Sequence, residues 1–152
     1  MNALHEFAEV PEAYTGCITR KPNKLILHCF PSFGTRLQRI HKTELDNLAR
    51  QIGTRDRFRK RVSAIWIEGH AARWKRTPEW KYERNARARA VAARAYLERA
   101  LADERLSYRP RIETSSMADL IPLVPNMKES ASKQARRKRS INRRVEILVD
   151  WA

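Results

Sequence analysis

The order of strand-like and helix-like patterns along the chain limits the folds that it can adopt. An apolar run at residues 25–30 is too short for a helix and stops at Pro31, which predicts a first buried strand. A β-branched and aromatic run at residues 62–67 predicts a second strand that ends at Gly69. Apolar residues at helical spacing lie between the two runs. The chain therefore begins as strand, helix, strand.

Apolar residues that recur every three to four positions predict two helices. The first helix follows Thr35 and ends at Gly53, which we interpret as its C-terminal stop. The second begins with Thr77 as N-cap and Pro78 at the first helical position, and it ends near Leu106. The apolar stripes consist of Leu37, Ile40, Leu45, Leu48 and Ile52 in the first helix, and of Ala86, Ala90, Ala93, Leu97, Ala100 and Leu101 in the second.

Two further strands are predicted after the second helix. Residues 111–114 form the third strand, and Pro110 places its start at a sheet edge. Apolar and polar residues alternate over residues 145–151, which predicts a last strand with one face better buried than the other. The order β-α-β-α-β-β predicts an α+β fold, a two-layer sandwich in which two helices pack on a mixed four-stranded sheet.

The length of 152 residues suits one domain with a continuous core. Residues 1–23 show little periodicity, so we expect an irregular N-terminal arm there and a single domain over residues 24–152. Trp66 and Trp151 lie in predicted strands and are expected in the core. Trp74 and Trp80 lie near the start of the second helix, where either core packing or stacking on a ligand fits.

The charge of the chain is strongly positive. Its formal net charge of +15 comes from 32 Lys and Arg against 17 Asp and Glu, and an excess of this size attracts polyanions. A basic run near the C-terminus would bind phosphates without reading sequence, although such runs are usually solvated segments. The residues of this candidate polyanion patch are Lys133, Arg136, Arg137, Lys138 and Arg139.

The two cysteines, Cys17 and Cys29, are too far apart for a CxxC motif. They are expected as two unpaired structural thiols, or as one bridge if the protein is periplasmic. No apolar run is long enough to span a bilayer. Residues 1–11 lack the basic start and apolar segment of a secretory signal, so export is not indicated by the sequence.

The sequence carries no pattern typical of catalysis. No Ser–His, Cys–His or paired-carboxylate arrangement has a convincing spacing, and the 4 glycines are too dispersed for a phosphate-binding loop. His5, His28 and His41 have no metal-ligand spacing to one another or to a cysteine. We therefore expect neither an enzyme, nor a cofactor, nor a metal site.

Three short motifs lie at defined places in the predicted order. They are Ile67-Glu68-Gly69-His70-Ala71-Ala72 after the second strand, Arg89-Ala90 in the second helix, and Asn142-Arg143-Arg144-Val145-Glu146-Ile147 at the start of the last strand. Together they resemble the OmpA-like peptidoglycan-binding domain over roughly residues 25–149. The last motif is the most specific of the three.

The resemblance implies a binding site for the diaminopimelate side chain of the peptidoglycan stem peptide. In the family, an aspartate in the pattern Gly-His-Thr-Asp binds the ammonium and a helix arginine binds the carboxylate. Arg89 falls on the arginine position, with Arg87 as the alternative, whereas Ala72 replaces the aspartate. Losing one partner of such a contact costs about 2 to 5 kcal/mol. Glu79 or Glu83 could supply a substitute acid.

Two further positions differ from the family pattern, because Tyr82 and Asn85 stand where Asn and Leu are usual. Asn142 is expected to fix the turn before the last strand, and Arg143 to form a wall of the pocket. The candidate ligand-binding residues implied by the resemblance are Gly69, His70, Ala71, Ala72, Arg89, Asn142 and Arg143.

We therefore expect a non-catalytic cell-wall binding module whose partner is peptidoglycan. The resemblance also implies a location in the cell envelope or periplasm. The alternative is an adaptor of the same fold that has lost this ligand. Such an adaptor would use its basic face to bind nucleic acid, anionic lipid, another anionic polymer or a protein of the envelope.

Overall fold

A five-stranded sheet with three helices forms the fold in the computed structural model, which describes residues 16–72, 77–120, 122–123 and 133–151. The strands are β1 Ile18–Lys21, β2 Lys24–Leu27, β3 Val62–His70, β4 Arg111–Ser116 and β5 Arg144–Trp151. The helices are α1 Arg39–Arg57, α2 Glu79–Asp103 and α3 Lys133–Asn142. The predicted α+β class is confirmed.

The strand order in the sheet is β1-β2-β5-β3-β4. β3 and β4 run parallel, while β1–β2, β2–β5 and β5–β3 are antiparallel pairs. The sheet is therefore mixed, as predicted. Ile147 in the middle of β5 pairs with Leu25 on one side and with Ile67 on the other. β4 lies at an edge, as Pro110 indicates.

The main core lies between the sheet and the helices α1 and α2. Alternate residues of the central strands face the helices, and the apolar stripe of each helix covers them. The core residues with no exposed surface include Leu27, Leu45, Ile52, Ile65, Ile67, Ala90, Ala93, Leu97, Val145 and Ile147. The predicted stripe of α2 is confirmed at Ala86, Ala90, Ala93, Leu97 and Leu101, which are all buried.

The structure has one strand and one helix more than the sequence patterns indicate. β1 lies in residues 1–23, where an irregular arm was expected, and it forms a hairpin with β2 through the turn at Pro22 and Asn23. The four-residue strand is too short to show a period of two. The rest of that predicted arm, residues 1–15, lies outside the described residues. The additional helix, α3, occupies the basic run before β5.

Several element boundaries also differ from the predictions. α1 begins at Arg39 and continues through Gly53 to Arg57, so the interpretation of Gly53 as a stop is wrong. A Cβ atom at Gly53 would lie 2.6 Å from a carboxylate oxygen of Glu104, so close packing against the end of α2 explains this glycine. Pro78 is the N-cap of α2, which ends at Asp103.

Cys17 and Cys29 form a disulfide bond, with their Cα atoms 5.3 Å apart. The expectation of two unpaired thiols is therefore wrong, and the alternative of one bridge is confirmed. The bond ties the start of the β1–β2 hairpin to its end. Nearby, the amide of Cys29 donates a hydrogen bond to the carbonyl of Ser140 in α3, at 3.1 Å. None of the described helices combines the length and apolarity needed to cross a bilayer.

Candidate ligand-binding site

The corner after β3 is held tightly against α2. A Cβ atom at Gly69 would lie 1.7 Å from the carbonyl oxygen of Ala86, so only glycine allows this close approach of strand and helix. The next corner residue, Ala71, donates its amide to the carbonyl of Ala118 at 2.6 Å. The corner is thus fixed between α2 and the segment that follows β4.

Arg89 reaches from α2 to this corner, and only 1% of the residue is exposed. Its guanidinium donates to three backbone carbonyls, those of Gly34 at 2.8 Å, His70 at 3.0 Å and Pro31 at 3.3 Å. Burial, together with the nearby positive charge of Arg143, lowers the pKa of Arg89 to about 9. The side chain is therefore still charged at neutral pH, and two of its five N–H donors remain for a ligand.

A small pocket lies in front of Arg89. Its volume is about 10 Å³, which is close to the lower limit for one water molecule. The pocket brings together Arg89, Ala71, Ala72 and Arg143 from the residues that the sequence singles out. Among the described residues, its lining consists of Ser32, Phe33, Ala71, Ala72, Tyr82, Asn85, Arg89 and Arg143. The two departures from the family pattern, Tyr82 and Asn85, are thus pocket residues.

Arg143 is the second cation of the pocket. Its Nε donates to the carbonyl of Phe30. Burial, together with the charge of Arg139, lowers the pKa of Arg143 to about 10. The alternative arginine, Arg87, is exposed and pairs with Glu83 through its Nε at 2.9 Å. The choice of Arg89 over Arg87 therefore agrees with the helix face that points into the protein.

No carboxylate is among the described residues that line this pocket. Of the two suggested substitute acids, Glu83 is engaged with Arg87, and Glu79 is exposed at the start of α2. Two guanidinium groups without a facing acid attract an anion and offer nothing to an ammonium group.

Three of the other candidate residues lie around the pocket without lining it. Gly69 faces α2, and the side chain of His70 lies on the opposite face of the sheet, because successive strand residues point to opposite sides. The side-chain oxygen of Asn142 accepts a hydrogen bond from the amide of Leu123 at 2.9 Å. This contact ties the end of α3 to the loop at residues 122–123, and the expected role of Asn142 in fixing the turn before β5 stays a prediction.

The opposite face of the sheet carries a buried charged cluster around His70. Nε2 of His70 lies 3.3 Å from Glu146 and 3.6 Å from Glu68, and the three side chains could in principle hold a metal ion. However, Glu146 already pairs with Lys24 at 2.8 Å and with Arg144 at 2.6 Å. Because two cations already saturate Glu146, we interpret the cluster as a buried ion-pair network.

The pKa values of this cluster follow from its burial and its charges. Burial lowers the pKa of His70 to about 4, and the positive charge of Arg144 acts in the same direction. The pKa of Glu68 is raised by burial and by the nearby Glu146. Burial acts to raise the pKa of Glu146, but hydrogen bonds and charges from Lys24 and Arg144 lower it overall. His70 is therefore neutral at pH 7.

The candidate polyanion patch is only partly at the surface. Arg136 and Arg137 are exposed, whereas Lys138 and Arg139 are buried. The backbone of Lys133 belongs to α3. Cations that are consecutive in the sequence therefore differ in exposure within one helix: the first two are exposed and the next two are buried. Two of the five residues are thus unavailable to a polymer that binds from outside.

The described tryptophans lie in the sheet and in the first turn of α2. Trp66 and Trp151 are half-buried in strands, and the guanidinium of Arg55 stacks on Trp151 at 4.2 Å. Trp80 is 57% exposed and lies near Lys81 and Arg84, at 5.6 and 5.1 Å from their charges. Trp74 lies outside the described residues.

Comparison with family models and with curated proteins gives no match. Solved structures do match. Because the sequence identities are low, the likeness shows the fold alone. The peptidoglycan-associated lipoprotein from Burkholderia pseudomallei is 16% identical, with 84% of this chain and 89% of that chain covered and a TM-score of 0.56. The cell wall anchor of the T6SS from Pseudomonas aeruginosa is 19% identical, with 89% and 86% covered and a TM-score of 0.56. The OmpA-like domain of FopA1 from Francisella tularensis is 15% identical, with 90% and 82% covered and a TM-score of 0.52.

Proposed function

The chain has the OmpA-like fold, and from this premise we propose that it is a non-catalytic module that binds peptidoglycan in the bacterial envelope. The observation that carries the proposal is the buried guanidinium of Arg89 behind the corner after β3. The fold supports it, because similar structures include a peptidoglycan-associated lipoprotein and a cell wall anchor. The disulfide between Cys17 and Cys29 suits an oxidising compartment such as the periplasm.

In this proposal, the ligand is the carboxylate end of the diaminopimelate side chain in the stem peptide. Arg89 binds it through the two N–H donors that its backbone contacts leave, and Arg143 adds a second positive charge. The amide of Ala71 is engaged with Ala118, so the corner contributes the amide of Ala72. Since the pocket holds about 10 Å³, the half-exposed Phe33 has to move to admit the ligand.

Ala72 makes the proposed binding weak and alters its selectivity. The ligand's ammonium group finds no acid, and the missing contact costs about 2 to 5 kcal/mol. The site therefore favours ligands that present a carboxylate, whether or not an ammonium group lies beside it.

Restoring the acid tests the proposal directly. We expect Ala72→Asp to raise the affinity for a diaminopimelate peptide by about tenfold or more, measured by calorimetry. Ala102→Asp, at an exposed position of α2, adds the same charge far from the pocket and is the control. Equal affinities of wild type and both variants, with all three proteins folded, would rule out this pocket as the binding site.

Arg89 needs a more conservative substitution than alanine, because its loss would remove the donor from three backbone carbonyls, of which that of His70 is buried. Arg89→Lys keeps the charge and removes the planar fork. We expect this variant to sediment with purified sacculi about tenfold less well than the wild type. Its circular dichroism and urea unfolding establish that it is folded. Undiminished binding to sacculi would contradict a role for the Arg89 guanidinium.

The basic adaptor of the same fold remains the second candidate function, favoured by the net charge of +15. The salt dependence of binding distinguishes the two candidate functions. Binding to sacculi through the pocket should persist at moderate salt, whereas adhesion to a polyanion falls steeply as salt rises.

A further inference from the structure

A groove of about 740 Å³ runs between the β1–β2 hairpin and α1. Five basic side chains and one acidic side chain line it, in addition to polar and apolar residues. They are Arg20, Lys21, Lys24, Arg50, Arg55 and Glu44. Five positive charges against one negative charge leave a surplus of four in a concave surface, where the field of each charge adds to that of the next.

Two of the five cations in this groove are paired with carboxylates, and the other three are available to a partner. Glu44 pairs with Arg20, whose Nε donates at 3.0 Å, and Lys24 pairs with Glu146 at 2.8 Å. Within the described part of the chain, no carboxylate pairs with Lys21, Arg50 or Arg55.

Two of the three cations are held in position by neutral neighbours. Arg55 stacks on Trp151 with its guanidinium carbon 4.2 Å from the ring centre, and a stacked guanidinium keeps its N–H edges available for an anion. Arg50 donates to the side-chain oxygen of Asn47. Such ordering reduces the side-chain entropy that binding would otherwise cost.

The groove is separate from the Arg89 pocket. Trp151 lies at the end of β5 and lines the groove, whereas Arg143 lies just before β5 and lines the pocket. Eight residues of extended chain separate them, which corresponds to roughly 25 Å. A ligand in one site therefore leaves the other open.

We propose that this groove binds an anionic polymer strand through its phosphate groups, independently of the proposed wall-binding pocket. Phosphate oxygens match the donor geometry of Arg50 and Arg55, and the ammonium of Lys21 adds a point charge. A single polymer strand can enter a concave groove and contact the cations inside it. A flat bilayer cannot enter the groove, so it would contact few of these cations.

Short-chain polyphosphate is the probe, measured by calorimetry on the full chain at several salt concentrations. The test variant combines Lys21→Gln, Arg50→Gln and Arg55→Gln. We expect it to bind about tenfold more weakly or worse, and the negative slope of log affinity against log salt to become shallower by about 2, near 0.7 per lost phosphate contact.

The matched control combines Lys60→Gln, Arg99→Gln and Arg109→Gln, which removes the same charge from exposed positions outside the groove. It should bind within about threefold of the wild type. Equal weakening of both triple variants would show that net charge alone drives binding and would overturn the proposal.

The proposal would also fail if phosphatidylglycerol vesicles bound in a groove-dependent manner and polyphosphate did not. Arg89→Lys should leave polyphosphate binding unchanged, so the two proposals can fail separately.

Discussion

Gly69 and His70 are neighbours in the sequence but face opposite sides of the sheet. Gly69 allows α2 to approach β3, and His70 enters the charged cluster with Glu146. The resemblance places both residues in the ligand site, because it concerns a motif and not the direction of each side chain. β3 is largely buried on both faces, so its apolar pattern does not reveal which residues face the helices.

Arg89 was predictable because helix geometry restricts the choice. Arg87 and Arg89 are two positions apart, which places them on different sides of α2. The buried stripe of Ala86, Ala90 and Ala93 then selects Arg89 as the inward arginine. The three carbonyls that hold Arg89 could not be predicted, since two of them belong to an irregular loop, residues 31–34, far away in the sequence.

Substituting Gly69 tests the close contact between β3 and α2. Gly69→Ala would place its Cβ 1.7 Å from a backbone carbonyl of α2, so strand or helix must shift. We expect the free energy of unfolding in urea to fall by about 3 kcal/mol. At Gly16, an added Cβ meets no atom within 4 Å. Gly16→Ala should therefore stay within about 0.5 kcal/mol of the wild type, and a similar loss in both variants would contradict the contact.

At the scale of elements, the sequence patterns succeed where one apolar face is repeated. α1 and α2 have such a face. β3 and β5 are largely buried on both faces, and their apolar residues still indicate strands. Each of these four elements was predicted with a boundary error of a few residues. β1 is too short for a pattern, and α3 buries the cations Lys138 and Arg139 in place of an apolar stripe. The disulfide was predicted only as the alternative to two unpaired thiols, because spacing alone cannot show that the two cysteines meet across a hairpin.

The disulfide should stabilise the hairpin of β1 and β2. It closes a loop with a sequence separation of 12 between Cys17 and Cys29. Reduction should lower the free energy of unfolding by about 3 kcal/mol, because the unfolded chain regains the entropy of the open loop. The measurement is urea unfolding with and without dithiothreitol. A variant carrying both Cys17→Ser and Cys29→Ser should be insensitive to the reductant, and an unchanged wild type would contradict this prediction.

For the whole molecule, acid should weaken the fold before its carboxylates titrate. The pKa values of His28, His41 and His70 are all lowered by burial, that of His70 to about 4. The unfolded chain binds protons at these rings near pH 6.5, whereas the folded protein does not. The stability that neutral histidines contribute is therefore complete above pH 6.5 and is lost as the pH falls toward 4.

We expect His70 alone to account for a loss on the order of 2 kcal/mol in the free energy of unfolding between pH 7 and pH 5. Urea unfolding at these two pH values measures it. His70→Gln should show a smaller loss than the wild type, because glutamine does not titrate. Equal pH dependence in the two proteins would mean that His70 is protonated as easily in the folded state as in the unfolded chain.

The placement of β5 between β2 and β3 also determines when the sheet can form. Residue 27 at the end of β2 pairs with residue 145, so this pair cannot form until residue 145 has been synthesised. During synthesis on the ribosome, β2 and β3 are made early but have no common neighbour until residues 144–151 emerge. Closing a loop of more than a hundred residues is slow compared with forming a helix or a hairpin. The nascent chain therefore exposes the unpaired edges of β2 and β3 until β5 emerges, and unpaired strand edges of this kind are prone to aggregation.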